Sequence, residues 1–403
     1  TVVSGPPAFL SGWSYRKVHS IAGSYSGAVS NYPIMLVLHR SSGIDNGKDV
    51  YLGTNVTSTF SDIRFTTTSN SPLSYWIESV VGDTATVWVK VPSIPSTGTQ
   101  LYLYYGKSSA ASESNGANVF GFFDDFSGSS LNSTWSVVSL DTTPSVSGGS
   151  VTVRQNSNSW AGITSTSTFG LSKAVRMKAQ YKSIDGSSYG GGGFSTVYSR
   201  GGFQGVEIMT QGGSSHKPLA FTSSGSYWGS SMGTFDSNWH TWEVQRLSNS
   251  LVTCLKDSVI QNVTQSVPQS SIPAAVTAFH SEQVVDWVLV RDIVSPEPVP
   301  ANWGQPEENT LPLSASFTTE PTSGTAPLDV AFRDTSTGTG IIQWNWDFGD
   351  GGTGSGSVVT HRYTTAATRT VTLTITNSTG SSSSSTGQVT INPPPPFYDD
   401  FAY

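Results

Sequence analysis

The chain carries one cysteine, Cys254, in 403 residues. No internal disulfide can form, and without a CxxC spacing or a Cys/His pair there is no zinc site to build. Charge is scarce as well. Asp, Glu, Lys and Arg make up 12% of the residues, about half the usual share near 25%. The 20 basic residues are outnumbered by 27 acidic ones, giving a net charge of -7. No basic cluster occurs, which excludes nucleic acid and makes anionic membrane surfaces poor partners. Apolar runs of about 18–20 residues, the length that spans a bilayer, are missing too, so direct membrane insertion is not expected. The opening residues Thr1-Val2-Val3-Ser4-Gly5-Pro6-Pro7 lack the charged and apolar regions of a secretory leader. An exported form is therefore expected to have lost its leader already.

What is present is glycine (41 residues), abundant Ser and Thr, and an aromatic share of 11% that includes 12 tryptophans. So many large apolar anchors argue for folded cores rather than disorder. The length suits two to four domains at about 100–200 residues each. Thr370-Val371-Thr372-Leu373-Thr374-Ile375-Thr376 alternates polar and aliphatic, as do Ala85, Val87, Val89 and Val91, which is the period of a half-buried strand. Ile34-Met35-Leu36-Val37-Leu38 reads as a strand buried on both faces. Such runs recur between Gly, Ser, Asn and Pro, and no segment keeps a helical period. The fold class is all-β, with sandwiches or jelly rolls in series.

Composition sets the expected boundaries at 1–118, 119–306, 313–392 and 393–403. Ser108 to Asn118 is small and polar and closes a first domain. Pro296-Glu297-Pro298-Val299-Pro300, followed by Pro306 and Pro312, lacks ladder donors and reads as a stiff linker. Ser381 to Ser385 reads as a hairpin loop ahead of the strand Gln388-Val389-Thr390-Ile391, and Pro393 to Pro396 end the third domain.

The third segment contains Gly324-Thr325-Ala326-Pro327-Leu328-Asp329-Val330, Trp344-Asn345-Trp346-Asp347-Phe348-Gly349-Asp350-Gly351 and His361-Arg362-Tyr363. It resembles a polycystic-kidney-disease (PKD) domain, an immunoglobulin-like sandwich that spaces or contacts other domains in surface proteins. Ala366-Ala367-Thr368-Arg369 departs from the usual Pro-Gly-Thr-Tyr turn. Trp346 and Phe348 are expected in the core, with Gly349 and Gly351 at positive-φ positions of a tight hairpin.

Residues 11–126 carry Trp13-Ser14-Tyr15-Arg16-Lys17, Phe60-Ser61-Asp62-Ile63-Arg64-Phe65, Tyr75-Trp76-Ile77 and Val87-Trp88-Val89-Lys90-Val91-Pro92. They resemble an uncharacterised β-domain family that precedes concanavalin-A-like jelly rolls in archaeal, bacterial and viral surface proteins. The middle segment fits such a LamG-like jelly roll, from Phe123-Asp124-Asp125-Phe126 through Trp239-His240-Thr241-Trp242 to Asp286-Trp287-Val288-Leu289-Val290.

Jelly rolls of this type include glycoside hydrolases with paired carboxylates on one strand face. Here the comparable strand, Gly205-Val206-Glu207-Ile208-Met209-Thr210-Gln211, has one acid, Glu207, so no catalytic pair is assigned. The six histidines, at 19, 39, 216, 240, 280 and 361, belong to no nucleophile motif. The resemblance implies a structural Ca²⁺ between the first and last jelly-roll strands, with Asp125 and Asp286 as its ligands. Tyr189, Tyr198, Tyr227 and Trp228, with Trp160 nearby, are candidate sugar-stacking aromatics. Gly190 to Gly193 is no phosphate loop, because neither helix nor Lys-Ser/Thr follows it. N-x-S/T sequons stand at Asn55, Asn132, Asn262 and Asn377.

Phe397-Tyr398-Asp399-Asp400-Phe401 repeats the pattern Phe122-Phe123-Asp124-Asp125-Phe126 just past the prolines. Phe397, Tyr398, Phe401 and Tyr403 are accordingly expected in an assembly strand, or in the first strand of a further domain. The sequence as a whole reads as a non-enzymatic, extracellular structural or adhesive protein of a cell surface, filament or virion. Neighbouring copies, other surface proteins and glycans are its expected partners. A carbohydrate-active jelly roll and a ligand-free self-assembling subunit are the alternatives.

Overall fold

The computed structural model describes residues 7–183, 188–197, 204–211, 215–257, 259–309, 312–377 and 380–395. Strands dominate it; among the described residues the one α-helix is Gly116–Val119, and no helix is long and apolar enough to cross a membrane. The chain divides into two compact units, residues 1–306 and 307–403.

The first unit contains two sandwiches. In the N-terminal one, a sheet ordered Val299–Trp303, Tyr15–Ala22, Thr99–Tyr105, Ile63–Thr67 and Pro72–Leu73 faces a second ordered Asp49–Tyr51, Val29–His39, Thr84–Ile94 and Tyr75–Val81. Alternation fills the space between them with Ile34, Leu36, Leu38, Val87, Val89, Leu101 and Leu103. Met35, on the opposite side of its strand from Ile34 and Leu36, packs instead against the tryptophan cluster that joins the two sandwiches.

The expected linker is corrected here: Val299–Trp303 is a strand, antiparallel to Tyr15–Ala22, with Ile21 opposite Pro300 and Ala22 opposite Val299. Proline is tolerated because this strand is at the sheet edge. The jelly roll is therefore an insertion, entered after Tyr105 and left before Val299, and attached to the same sandwich at both ends.

The jelly roll stacks two sheets. One is ordered Trp135–Val138, Ala161–Phe169, Ile272–Phe279, Tyr189–Ser195, Gly205–Gln211, Ser215–Thr222 and Gly225–Trp228. The other runs Ser145–Ser147, Ser150–Gln155, Ser281–Asp292, Lys173–Ser183, Trp239–Ser248, Leu251–Lys256 and Val259–Val263, with Phe122–Asp124 also on Ser281–Asp292. The glycine run lies inside a strand. A Cβ on Gly192 would come within 2.4 Å of Met177 Sδ, and one on Gly190 within 2.0 Å of Gln283 Nε2, so the glycines let the two sheets close.

Tryptophans weld the sandwiches together. Trp76 and Trp88 of the first pack with Val119, Phe120, Trp287 and Leu289, and Trp76 meets Trp287 edge to face at 5.2 Å. A chain of charges runs alongside. Arg176 Nη2 and Nε donate to Glu78 at 2.8 and 3.1 Å, Arg176 Nη1 donates to Glu243 at 3.0 Å, and Arg291 Nη2 donates to Glu243 at 2.8 Å. Arg291 also holds both oxygens of Glu297 at 3.0 Å.

In the second unit, Phe317–Glu320, Leu328–Asp334 and Val358–Tyr363 form one sheet, and Ser323–Thr325, Ser382–Asn392, Ala367–Asn377, Ile341–Asp347 and Thr353–Ser355 form the other. Trp346 and Phe348 are buried in the core, and Gly349 and Gly351 have φ of 74° and 93°, the hairpin conformation read from the sequence. The serine run is a second correction: Ser382 to Ser385 are strand, paired with Leu373 to Thr376. The five-residue aromatic repeat at 397–401 and Tyr403 lie outside the described residues.

Candidate functional site

Period-two alternation places Val206 and Ile208 between the jelly-roll sheets and turns Glu207 and Met209 to the outer face. Across that face Glu207 neighbours Gly193 on one strand and Leu219 on the other. On Gly191 and Gly193 a Cβ would approach the carbonyl oxygens of Ile208 and Val206 to 2.3 Å. With no side chains there, the Thr277 hydroxyl donates across to Glu207 Oε2 at 2.6 Å. Ser195 supplies a second hydrogen bond.

Although it lies on the outer side of its sheet, Glu207 is 1% exposed. Burial pushes its carboxyl up to about 7, against the pull of the Ser195 and Thr277 hydrogen bonds. Beside it Met209, Leu219 and Phe221 form a buried patch, against which Trp160, Tyr189 and Trp228 pack. Trp160, Tyr189 and Phe279 meet within 6 Å of one another, and Trp228 is 6.5 Å from Tyr189. These four rings are partly exposed and cover an apolar floor. Glu207 is the one carboxylate in any described strand of this sheet. One acid, buried and partnered by hydroxyls, cannot divide the roles of nucleophile and proton donor.

Of the sugar-stacking candidates, Tyr189 and Trp228 belong to this aromatic group. Tyr227 does not: it alternates to the other face and packs on the jelly-roll core. Tyr198 lies outside the described residues. Trp160 and Phe279 complete the group, and Phe279 was not singled out from the sequence because a lone Phe ending a strand carries no local signal.

The proposed calcium ligands are engaged separately. Asp286 Oδ2 is 2.6 Å from Lys178 Nζ on the adjacent strand. Asp125 Oδ1 accepts the Ser127 N–H, while Asp124 accepts the Phe126 N–H and the Trp135 indole N–H. Among the described residues no three His, Cys, Asp or Glu side chains cluster as a metal site. An ammonium against Asp286 does not fit a cation there, and the donor set does not fit calcium. Asp124 and Asp125 instead line a cleft of about 630 Å³ with Trp76, Ser114 and Asn132.

Asn55, Asn132 and Asn262 are exposed. Asn377 is 9% exposed and its Oδ1 accepts the Ser381 N–H, which leaves little room for a glycan. His240 sits between Asp236 and Asp257 at 2.8 and 2.7 Å, and His361 bonds Asp350 at 2.8 Å while stacking on Phe348. The charge chain at the sandwich junction was not foreseen. Burial alone pushes the Glu243 carboxyl up, but Arg291 and Arg176 outweigh it and hold it at about 2.

Comparison with known proteins matches residues 59–138 to a domain of unknown function (DUF2341) and residues 307–392 to a PKD domain. The first match spans the junction from the N-terminal sandwich into the jelly roll. No curated protein matches the chain. Among solved structures, the PKD1 domain of Vibrio anguillarum Epp is 28% identical, covering 21% of this chain and 99% of its own, at a TM-score of 0.19. A structure concerned with endo-acting O-glycanases of human gut microbiota is 14% identical over 43% of this chain and 99% of its own, at 0.36. A beta-1,3-glucanase from Mycobacterium marinum is 14% identical over 42% and 98%, at 0.34. PKD domains are typical of extracellular proteins.

Proposed function

We propose that this chain is a non-enzymatic structural or adhesive component of an extracellular surface or filament. In this reading residues 1–306 serve as one rigid scaffold, and the PKD domain spaces or contacts neighbours. The observation that carries the reading is Glu207, buried and the one carboxylate among the described strands of the jelly-roll face where hydrolytic chemistry would be expected. The double attachment of the jelly roll supports the scaffold role, since a domain tethered twice and packed through Trp76, Trp88 and Trp287 cannot swing freely.

Incubating the full chain with a β-glucan and measuring reducing ends tests the proposal. No release above buffer is expected. Release that disappears in Glu207→Gln would contradict it. The partly exposed rings of Trp160, Tyr189, Trp228 and Phe279 favour a second reading, in which the same face holds a neutral glycan by stacking. Glycan-array binding lost on Trp228→Ala, with an unchanged melting temperature, would support that reading.

A further inference from the structure

The edge strand Val299–Trp303 completes a sandwich from which it is separated, along the chain, by the whole jelly roll. It is short, and its pairing with Tyr15–Ala22 is broken by a register shift between His19 and Ile21. Val299 is 57% exposed. A few discrete contacts hold it: the Trp303 ring stacks on buried His19 at 3.9 Å, its indole N–H donates to the Gly47 carbonyl at 2.9 Å, and Gly304 N–H donates to the Val18 carbonyl at 2.8 Å. Just upstream, Ser24 Oγ donates to the Pro296 carbonyl at 2.6 Å, and Ser26 Oγ to that of Ser295. The connecting residues Ile293 to Pro298 include two prolines, and Arg291 clamps Glu297 to the jelly roll.

We propose that the outer edge of Tyr15–Ala22 is an exchangeable strand acceptor, and that a second copy of this chain can supply its own Val299–Trp303 there. The acceptor edge already fits this strand, side chain for side chain, and an identical copy carries the identical strand. Exchange replaces each contact within a chain by the same contact between chains, so its enthalpic cost is small and concentration decides the outcome. With Ile293 left in the jelly roll and Glu297 released from Arg291, the four residues from Ser295 to Pro298 span roughly 13 Å when extended, so two edges brought within that distance can trade strands. A short edge strand with few buried apolar contacts belongs to the low-stability end of a fold and opens without global unfolding. This inference goes beyond the scaffold reading and does not depend on the aromatic face.

The test uses full chains carrying Ala22→Cys or Val299→Cys, two exposed positions that stand opposite each other in the register. The native Cys254 is fully buried, with its thiol pushed up to about 12 by burial, and stays silent. Mixed single variants are oxidised and run on non-reducing gels, while amide exchange is followed on the unmodified chain. The expected result is a 22–299 linked heterodimer, in excess of either homodimer and rising with total concentration. Amides of Val299–Trp303 are expected to exchange at least tenfold faster than those of the central strand Val29–His39. A mixture giving no heterodimer above the homodimers, or equal protection of the two strands, would overturn the proposal.

Discussion

Glu207 and His19 are titratable groups that folding holds away from water, in opposite protonation senses. For Glu207 the folded value of about 7 lies above the ordinary 4.5, so the protonated form is favoured by folding. Its contribution is intact below pH 4.5 and is lost as pH rises from 4.5 to about 7. At about 1.4 kcal/mol per unit the loss is on the order of 3 kcal/mol. Glu207→Gln should therefore raise the urea midpoint at pH 8 and leave it unchanged at pH 4; equal effects at both would refute the neutral carboxyl. His19 runs the other way. Burial lowers it from 6.5 to about 4, against weaker upward pulls from the Asn302 backbone and Asp45, so stability falls as pH drops from 6.5 towards 4. His19→Phe keeps a ring against Trp303 and should flatten that acid limb; an unaltered slope in a denaturation series from pH 7 to 4 would count against it. The solitary acid was legible in the sequence because side-chain period two lists the same-face residues of one strand. Its burial was not, because Thr277 and Ser195 come from other strands that only the fold brings to it.

Elements divide by whether their signal is local. The Thr/aliphatic strand Ala367–Asn377 and the Gly349–Gly351 hairpin were readable because alternation and turn chemistry act within a few residues. Pro300 misled, since a missing N–H excludes a central strand but not an edge, and only the pairing of Ile21 with Pro300 and Ala22 with Val299 shows which this is. The surroundings of Asp286 were hidden for the same reason: Lys178, whose ammonium lies against it, is 108 residues away in sequence. EDTA should accordingly leave the melting temperature unchanged, and a fall of several degrees would restore the metal. At the junction strands, Glu243→Ala leaves Arg176 and Arg291 facing each other without their shared carboxylate. The expected loss is about 3–5 kcal/mol, read as a lower urea midpoint of residues 1–306. A change below about 1 kcal/mol would show that the pair is solvated after all.

For the molecule as a whole, the PKD domain was visible from one contiguous motif and the jelly roll from the strands at its two ends. Their separation from the first sandwich looked equally plain, yet the insertion of one β-domain into another depends on pairing Tyr15–Ala22 with Val299–Trp303, a contact no local pattern announces. The Trp76–Trp287 contact and the Arg176–Glu78 ion pair tie the two sandwiches of residues 1–306 together, which is what a scaffold requires. Differential scanning calorimetry of residues 1–306 measures this most directly, by comparing the calorimetric enthalpy with the van't Hoff enthalpy. One transition in which the two agree is the predicted result. Two separable transitions, with the jelly roll surviving after the N-terminal sandwich has melted, would contradict it.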